Sequence, residues 1–505
     1  MGSVGKSNLY STFENHFPDP SKVLLTTVDG ESYTYADAQW RSAKVANFLV
    51  DLGLRPGDRV SVQVEKSPQS LWLYLGAIRA GMVYHPLNPA YTEEELRYFL
   101  GDAEPALLVC DSSRSQQLLP LCEQTGVANL HTLDADGCGS LTDALEGCAS
   151  RFETLETVPG DLAALLYSSG TTGRPKGIML SHRNLIENSR ILANYWGFGS
   201  EDCLLHALPV FHVHGLFVAI GCVLMSGASM RWLPGFDAPT VMANLPHATV
   251  KMGVPTYYTR LLAEPAFGKR QCAGMRLFVS GSAPLLTDTF EAFEQRTGHS
   301  ILESYGLTET GMNTSNPLNG TRRAGTVGMP LPGVALRICD SDNQPCKSGE
   351  VGDIQVIGDH GFFVYWKMPD KTAEDFTADG FFITGDKGVI DGDGYVSIVG
   401  RSKDMVISGG LNVYPKEIEL LIDELPGVLE SAVIGVPHPD FGEAVVAVVV
   451  LSAGAQLSEG AICDAVRQQA AGFKVPKKVF FADELPRNAM GKVQKVSLRE
   501  KYAGL

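Results

Sequence analysis

The chain has 505 residues, more than one hydrophobic core supports, so at least two domains are expected. With 44% hydrophobic and 19% charged residues and a net charge of −16, the composition is ordinary globular; it excludes a nucleic-acid backbone or an anionic membrane as main partner, since both need a basic surface. Its ten cysteines stand singly, with no C-x-x-C pair, which speaks against a zinc ribbon and reads as reduced, cytosol-type thiols.

The N-terminus carries no charged-then-apolar signal, and Lys6 sits where myristoylation requires Ser or Thr, so a cytoplasmic protein is the simplest reading. A leader removed upstream of Met1-Gly2-Ser3 would allow an organelle instead. Val45, Phe48, Leu49 and Leu52 form an i, i+3, i+4, i+7 stripe ended by Gly53, which predicts a helix, and Arg59 to Val64 then reads as a strand. The alternation continues with a helix over Gln69 to Arg79, an extended Val83 to Pro86, a helix over Glu93 to Leu100 and a strand over Ala106 to Cys110, so the class is α/β.

After an apolar strand at Leu162 to Leu166 comes Tyr167-Ser-Ser-Gly-Thr-Thr-Gly-Arg-Pro-Lys-Gly177. Ser168, Ser169, Thr171 and Thr172 offer hydroxyls, Gly170, Gly173 and Gly177 let the backbone approach an anion, and Lys176 adds a mobile cation, which together describe a phosphate cradle. It is not a Walker loop, because Pro175 stands where that pattern needs glycine. Downstream, His212 and His214 lack a third ligand nearby and make a weak metal pair. The apolar runs Leu216 to Met225 and Ala444 to Leu451 are far shorter than the roughly 20 residues a membrane span needs. Val250 to Gly253 and Leu277 to Ser280 are strands running into turns, the position where open α/β sheets bind ligands. Past residue 330 the texture becomes short strands and glycine turns, including Gly352 to Ile357 and Gly394 to Val399. Beyond Gly400-Arg-Ser-Lys-Asp404 it becomes an α+β module, with helices at Lys416 to Ile422 and Ala461 to Ala470 around strands at Ser431 to Val436 and Ala444 to Leu451.

The loop at 167–177 resembles the phosphate loop of the adenylate-forming superfamily of acyl-CoA synthetases, luciferases and peptide-synthetase adenylation domains. Tyr305-Gly-Leu-Thr-Glu-Thr310, Thr384-Gly-Asp386, Gly400-Arg-Ser-Lys-Asp404, Gly409-Gly-Leu-Asn-Val-Tyr-Pro415 and Pro486-Arg-Asn-Ala-Met-Gly-Lys492 follow in the superfamily's order. Within it, the segments 208–216, 252–262, 275–285 and 312–317 are most similar to malonyl-CoA synthetases.

The resemblance implies a large N-terminal multi-layer α/β domain with a β-rich subdomain over residues 1–400. A small mobile α+β domain follows over 401–505, hinged near 401–404 with Lys403 at the pivot. It implies an ATP-dependent acid–CoA ligase that forms an acyl-adenylate and then a thioester, taking ATP, Mg²⁺, CoA and a small dicarboxylic acid, most similar to a malonate enzyme; the alternative is a medium-chain or aromatic acyl-CoA synthetase. Nucleotide contacts then fall to the 168–173 loop and Lys176, to Gly281, Ser282, Ala283 and Pro284, to Tyr305 against adenine, and to Asp386 and Arg401 on the ribose. Thr308 meets the α-phosphate, Glu309 and Thr172 hold Mg²⁺, and Lys492 is the adenylation lysine. His212 lines and gates the acyl site, and Gly409 and Gly410 form the pantetheine tunnel. For a second carboxylate the pocket needs a cation, and Arg260 on the helix opened by Val254-Pro-Thr256 is the candidate, with Ser280, Ser282 and Met312 as neighbours.

Overall fold

The computed structural model describes residues 7–168, 175–362, 364–408, 411–438, 442–488 and 492–503. The expected Ser169, Gly170, Thr171, Thr172 and Gly173 of the cradle, and Gly409 and Gly410, lie outside the described residues.

Helix starts are written in side chains that catch free backbone N–H groups. Thr34 with Asp37, Thr92 with Glu95 and Ser181 with Asn184 each close a capping box, and Ser67 caps a helix whose first residue is Pro68. The strands between such helices, Leu107–Cys110, Val250–Gly253 and Leu277–Ser280, are buried on both faces, as a parallel sheet covered by helices demands.

Two large sheets build the N-terminal domain. One runs, edge to edge, Asn129–Thr132, Leu107–Cys110, Arg59–Gln63, Val83–Pro86, Leu162–Ser168, Lys176–Ser181. The other has nine strands, with Leu302–Leu307, Leu277–Ser280, Val250–Gly253 and Cys203–His206 parallel at its centre. One apolar cluster spans both sheets and the helices between them, including Leu73, Leu166, Ile220 and Val279. The run from Leu216 is core, as expected, but it opens with a π-helical turn, His214–Ala219, before the α-helix Ile220–Ser226. Wider turns of this kind occur often beside functional sites.

A four-stranded antiparallel sheet, Ala335–Cys339, Gly352–Ile357, Phe382–Ile390 and Val396–Arg401, forms the β-rich subdomain. The smaller C-terminal domain follows. Its long hairpin Val428–His438 with Gly442–Leu451 is flanked by Val406–Ser408 and Lys478–Phe481 and packs against the helices Pro415–Asp423 and Glu459–Gln469. Pairing along the hairpin carries its strands beyond the apolar stretches, which is why Val428–His438 exceeds the expected Ser431 to Val436. Arg499, on the last helix, ties back to the turn that opens the domain, its Nη2 2.7 Å from Asp404 Oδ1.

Candidate active site

The antiparallel strands Leu162–Ser168 and Lys176–Ser181, at the sheet edge, bring Ser168 opposite Lys176. Ser168 Oγ donates to Glu309 Oε1 at 3.1 Å, which joins the cradle to the turn between Leu302–Leu307 and Gly311–Ser315. Thr308 precedes Glu309 on that turn and lines a small void with Val213 and Gly311. Lys176 is not the mobile charge that the loop composition suggests. Its Nζ pairs with Asp375 Oδ2 at 3.0 Å and sits 4.7 Å from the centre of the Tyr365 ring, while Tyr365 Oη donates to the same carboxylate.

The strand Phe382–Ile390 sets Asp386 opposite Arg401 on Val396–Arg401. Asp386 is buried; Tyr305 Oη donates to its Oδ2 at 2.7 Å and Arg401 Nε to its Oδ1 at 2.7 Å. Each oxygen of an ionised carboxylate keeps a further lone pair, so the group still has capacity for hydroxyls.

Lys492 arrives from the C-terminal domain. Burial first and Arg401 next hold its ammonium below the ordinary lysine pKa, while Asp386 and Glu309 pull the other way, so these groups share one electrostatic neighbourhood. His212 belongs to it too: burial, then Lys492 and His214, push its imidazole down to about 3, leaving it neutral at physiological pH.

The turn after Leu277–Ser280 is close-packed. A Cβ on Gly281 would lie 3.2 Å from Ser304 Oγ, 3.4 Å from His214 Cε1 and 3.5 Å from Met312 Cε, so it would fit only if the Ser304 hydroxyl gave by a few tenths of an ångström. Ser282 holds φ +70°, a left-handed conformation costly for a non-glycine residue, and its Oγ lies 3.1 Å from His214 Nδ1. Ala283 is half-buried and Pro284 exposed.

Arg260 stands on Pro255–Ala263 as expected, but it is exposed, has no hydrogen bond or ion pair to a described residue, and lies within electrostatic range of Tyr257 and Arg487. Ser280 is fully buried and Met312 nearly so. Lys403 is exposed on the short 3₁₀ turn Ser402–Asp404.

Several polar groups beside the site escaped the sequence reading. Lys66, buried, donates from Nζ to His206 Nδ1 at 2.7 Å and to the His206 carbonyl at 2.9 Å, and His206 Nε2 in turn meets the Gly215 carbonyl at 2.9 Å, inside the π-helical turn. Lys251 is buried in Val250–Gly253. A lysine in a strand covered on both faces was the available signal. Asp375 and Tyr365 lie on loops with no motif to mark them.

The arrangement suits a nucleotide and a carboxylic acid meeting beneath one lysine. Residues 14–366 match the AMP-binding enzyme family and residues 417–492 the C-terminal domain of AMP-binding enzymes. The chain is 33% identical to the malonate–CoA ligase of Arabidopsis thaliana, covering 99% of this chain and 90% of that one. It is 34% identical to the sulfoacetate–CoA ligase of Cupriavidus necator, covering 95% and 94%. The crystal structure of ATP-bound MatB from Rhodopseudomonas palustris superposes with a TM-score of 0.97 at 52% identity over 99% of both chains; the apo form of that protein, at the same identity and coverage, gives 0.85. On the span of the family match and the identity to full-length relatives, the chain belongs to the AMP-binding family of adenylate-forming enzymes.

Proposed function

We propose that this chain is an ATP-dependent malonate–CoA ligase, converting malonate, CoA and ATP to malonyl-CoA, AMP and pyrophosphate. The observation that supports it most is the convergence of Lys492, from the C-terminal domain, on Glu309, Asp386 and His212, in a chain alike over nearly its whole length to a malonate–CoA ligase.

In the first step a carboxylate oxygen of malonate attacks the α-phosphorus of ATP, and the bond to pyrophosphate breaks. Charge spreads over the phosphoryl oxygens, so catalysis is positioning and charge neutralisation rather than covalent help. Lys492 supplies the ammonium between carboxylate and α-phosphate, and Thr308 a hydroxyl beside it. Tyr305, Asp386 and Arg401 hold adenine and ribose, and Gly281 to Pro284 form the wall between nucleotide and acyl group. His212, kept neutral, lines the acyl side without competing for the acid as a cation.

Glu309 fits a magnesium ion. It offers a hard carboxylate oxygen, with Ser168 alongside, and among the described residues no cluster of three or more acidic, histidine or cysteine side chains forms a protein cage. Magnesium is held in this way when substrate phosphates and water complete its shell. When bound, the ion neutralises phosphate charge. Thr172, assigned with it, lies outside the described residues.

In the second step the CoA thiolate attacks the acyl carbon and the bond to AMP breaks. Lys492 has no task there. Hinging at 401–404, with Lys403 at the pivot between domains 1–400 and 401–505, would withdraw it and bring the 409–410 segment to the site. The short Ser402–Asp404 turn between Val396–Arg401 and Val406–Ser408 supports that placement. For the acid's second carboxylate, Arg260 is the cation at the rim. The ten free thiols support a reducing compartment such as the cytoplasm.

Exchange of labelled pyrophosphate into ATP tests this reading. Malonate with ATP and Mg²⁺ should support exchange without CoA, and adding CoA should release AMP. ADP as product would overturn the mechanism; a preference for butyrate or benzoate over malonate would mark a medium-chain or aromatic acyl-CoA synthetase instead.

A further inference from the structure

Lys251 is a lysine in the wrong place for a structural role. Its side chain is fully buried, and Nζ has no hydrogen-bond partner. Its surroundings are the Phe236 and Tyr257 rings, 5.5 and 5.3 Å from the ammonium, with Leu205 and Phe278 on the neighbouring strands. The charged and titratable groups that reach it electrostatically are Lys66 and His214, neither of them an anion. No acidic side chain among the described residues pairs with Lys66 or Lys251. Buried cations persist when something anionic meets them, because an isolated one costs several kcal/mol.

Two further orphans point the same way. By register Gly253 lies opposite Ser280, and Lys251 shares its face with Gly253, so Ser280 Oγ is the next polar group up the sheet from the lysine. That hydroxyl is fully buried and unpartnered. So is His214 Nε2, while its Nδ1 lies 3.1 Å from Ser282 Oγ, a hydroxyl able to donate to it. An ammonium and a hydroxyl are donors, and the imidazole is a third in the tautomer with its proton on Nε2; together they suit an acceptor-only group. Ser280 immediately precedes Gly281, whose surroundings include His214, so these two groups adjoin the wall assigned to the acyl group, and Lys251 joins them through the sheet register with Ser280's strand and its electrostatic reach to His214.

We propose that Lys251, with Ser280 and His214, forms a buried anion subsite at the floor of the acid pocket that holds the free acidic group of the substrate. This rests on the acid–CoA ligase reading above. Arg260 then meets the acid at the exposed rim, and Lys251 is the specificity residue at depth. The ligand class is a short acid with a second anionic end, a carboxylate or a sulfonate.

The test uses the full chain with Lys251→Met, which keeps length and removes charge, and Ser280→Ala. The reading is kcat/KM for malonate, sulfoacetate and butyrate at saturating ATP and CoA, with thermal unfolding of each variant. Leaving a buried substrate charge unpaired should lower the malonate-to-butyrate ratio by about 30-fold or more in Lys251→Met, carried by KM for malonate, and less in Ser280→Ala. A like fall with sulfoacetate shows that the subsite reads charge; a fall with malonate alone narrows it to carboxylates. Ratios within about threefold of wild type in a folded Lys251→Met overturn the subsite and leave the ligase reading intact. Should that variant not fold, an unchanged ratio in Ser280→Ala overturns it equally. Wild-type protein that turns over neither dianionic acid removes both readings.

Discussion

The ribose side and the acid side of the site are built on opposite plans. Around Asp386 every charge has a partner from the chain itself: Tyr305 on one oxygen, and on the other Arg401, set opposite by strand register. Around Lys251 the ammonium, the Ser280 hydroxyl and His214 Nε2 are all buried without partners. A co-substrate common to all turnovers can be met by a scaffold complete before it binds. Discrimination between acids gains from the reverse, because a buried donor left unpaired by the wrong acid penalises that acid.

Lys492 stands between the two sides, and its removal should produce the largest effect. In Lys492→Ala, pyrophosphate exchange with malonate should fall about 100- to 1,000-fold, the typical loss when one transition-state charge contact goes. Supplied malonyl-adenylate should still be converted to thioester. Equal loss in both half-reactions would mean that the lysine serves the whole site rather than the first step.

Arg260→Leu separates rim from floor. Truncation should lower kcat/KM for malonate by about 30-fold, the low end for a charged contact because the guanidinium is exposed and screened. Butyrate should be unaffected or favoured. With no bond to a described residue, the variant should unfold at the wild-type temperature; parallel losses for malonate and butyrate at unchanged stability would remove Arg260 as a carboxylate contact.

Much of the fold was legible because it is written in short-range patterns. The strands Val250–Gly253, Leu277–Ser280 and Gly352–Ile357 fall where their apolar runs end at turns, and the helix Tyr35–Asp51 carries the stripe from Val45 that Gly53 ends. The ribose contacts were legible as motif, but not as geometry. That Tyr305 and Arg401 share Asp386 depends on two sheets meeting, which no local pattern encodes. The pairing of Lys176 with Asp375 was hidden for the same reason, being a contact between the cradle hairpin and the subdomain. The strand holding Lys251 was legible as an apolar strand running into a turn, yet apolar periodicity treats its one lysine as noise. The orphaned donors become visible only once burial and partners are known.

The last effect is on stability rather than turnover, and it tests the contrast directly. Burial pushes Lys251 down to about 7 from its ordinary 10.5. Because the folded value is depressed, the unfolded chain takes up a proton as pH falls through 10.5 while the folded chain stays neutral until near 7. Folding is therefore progressively penalised between those values, and the penalty is constant below them, reaching at most about 5 kcal/mol. Lys251→Met removes it. The variant should unfold at a higher temperature than wild type near pH 7, and the gap should shrink as pH approaches about 10. Malonate with ATP should narrow the gap from the other side, since an anion pairing with the ammonium stabilises wild type and has no such partner in the variant. Differential scanning fluorimetry across that pH range, with and without malonate, measures all of this. A variant less stable than wild type near pH 7, or a gap that neither pH nor malonate changes, would show that the lysine is satisfied within the fold and that the two sides of the site are built alike.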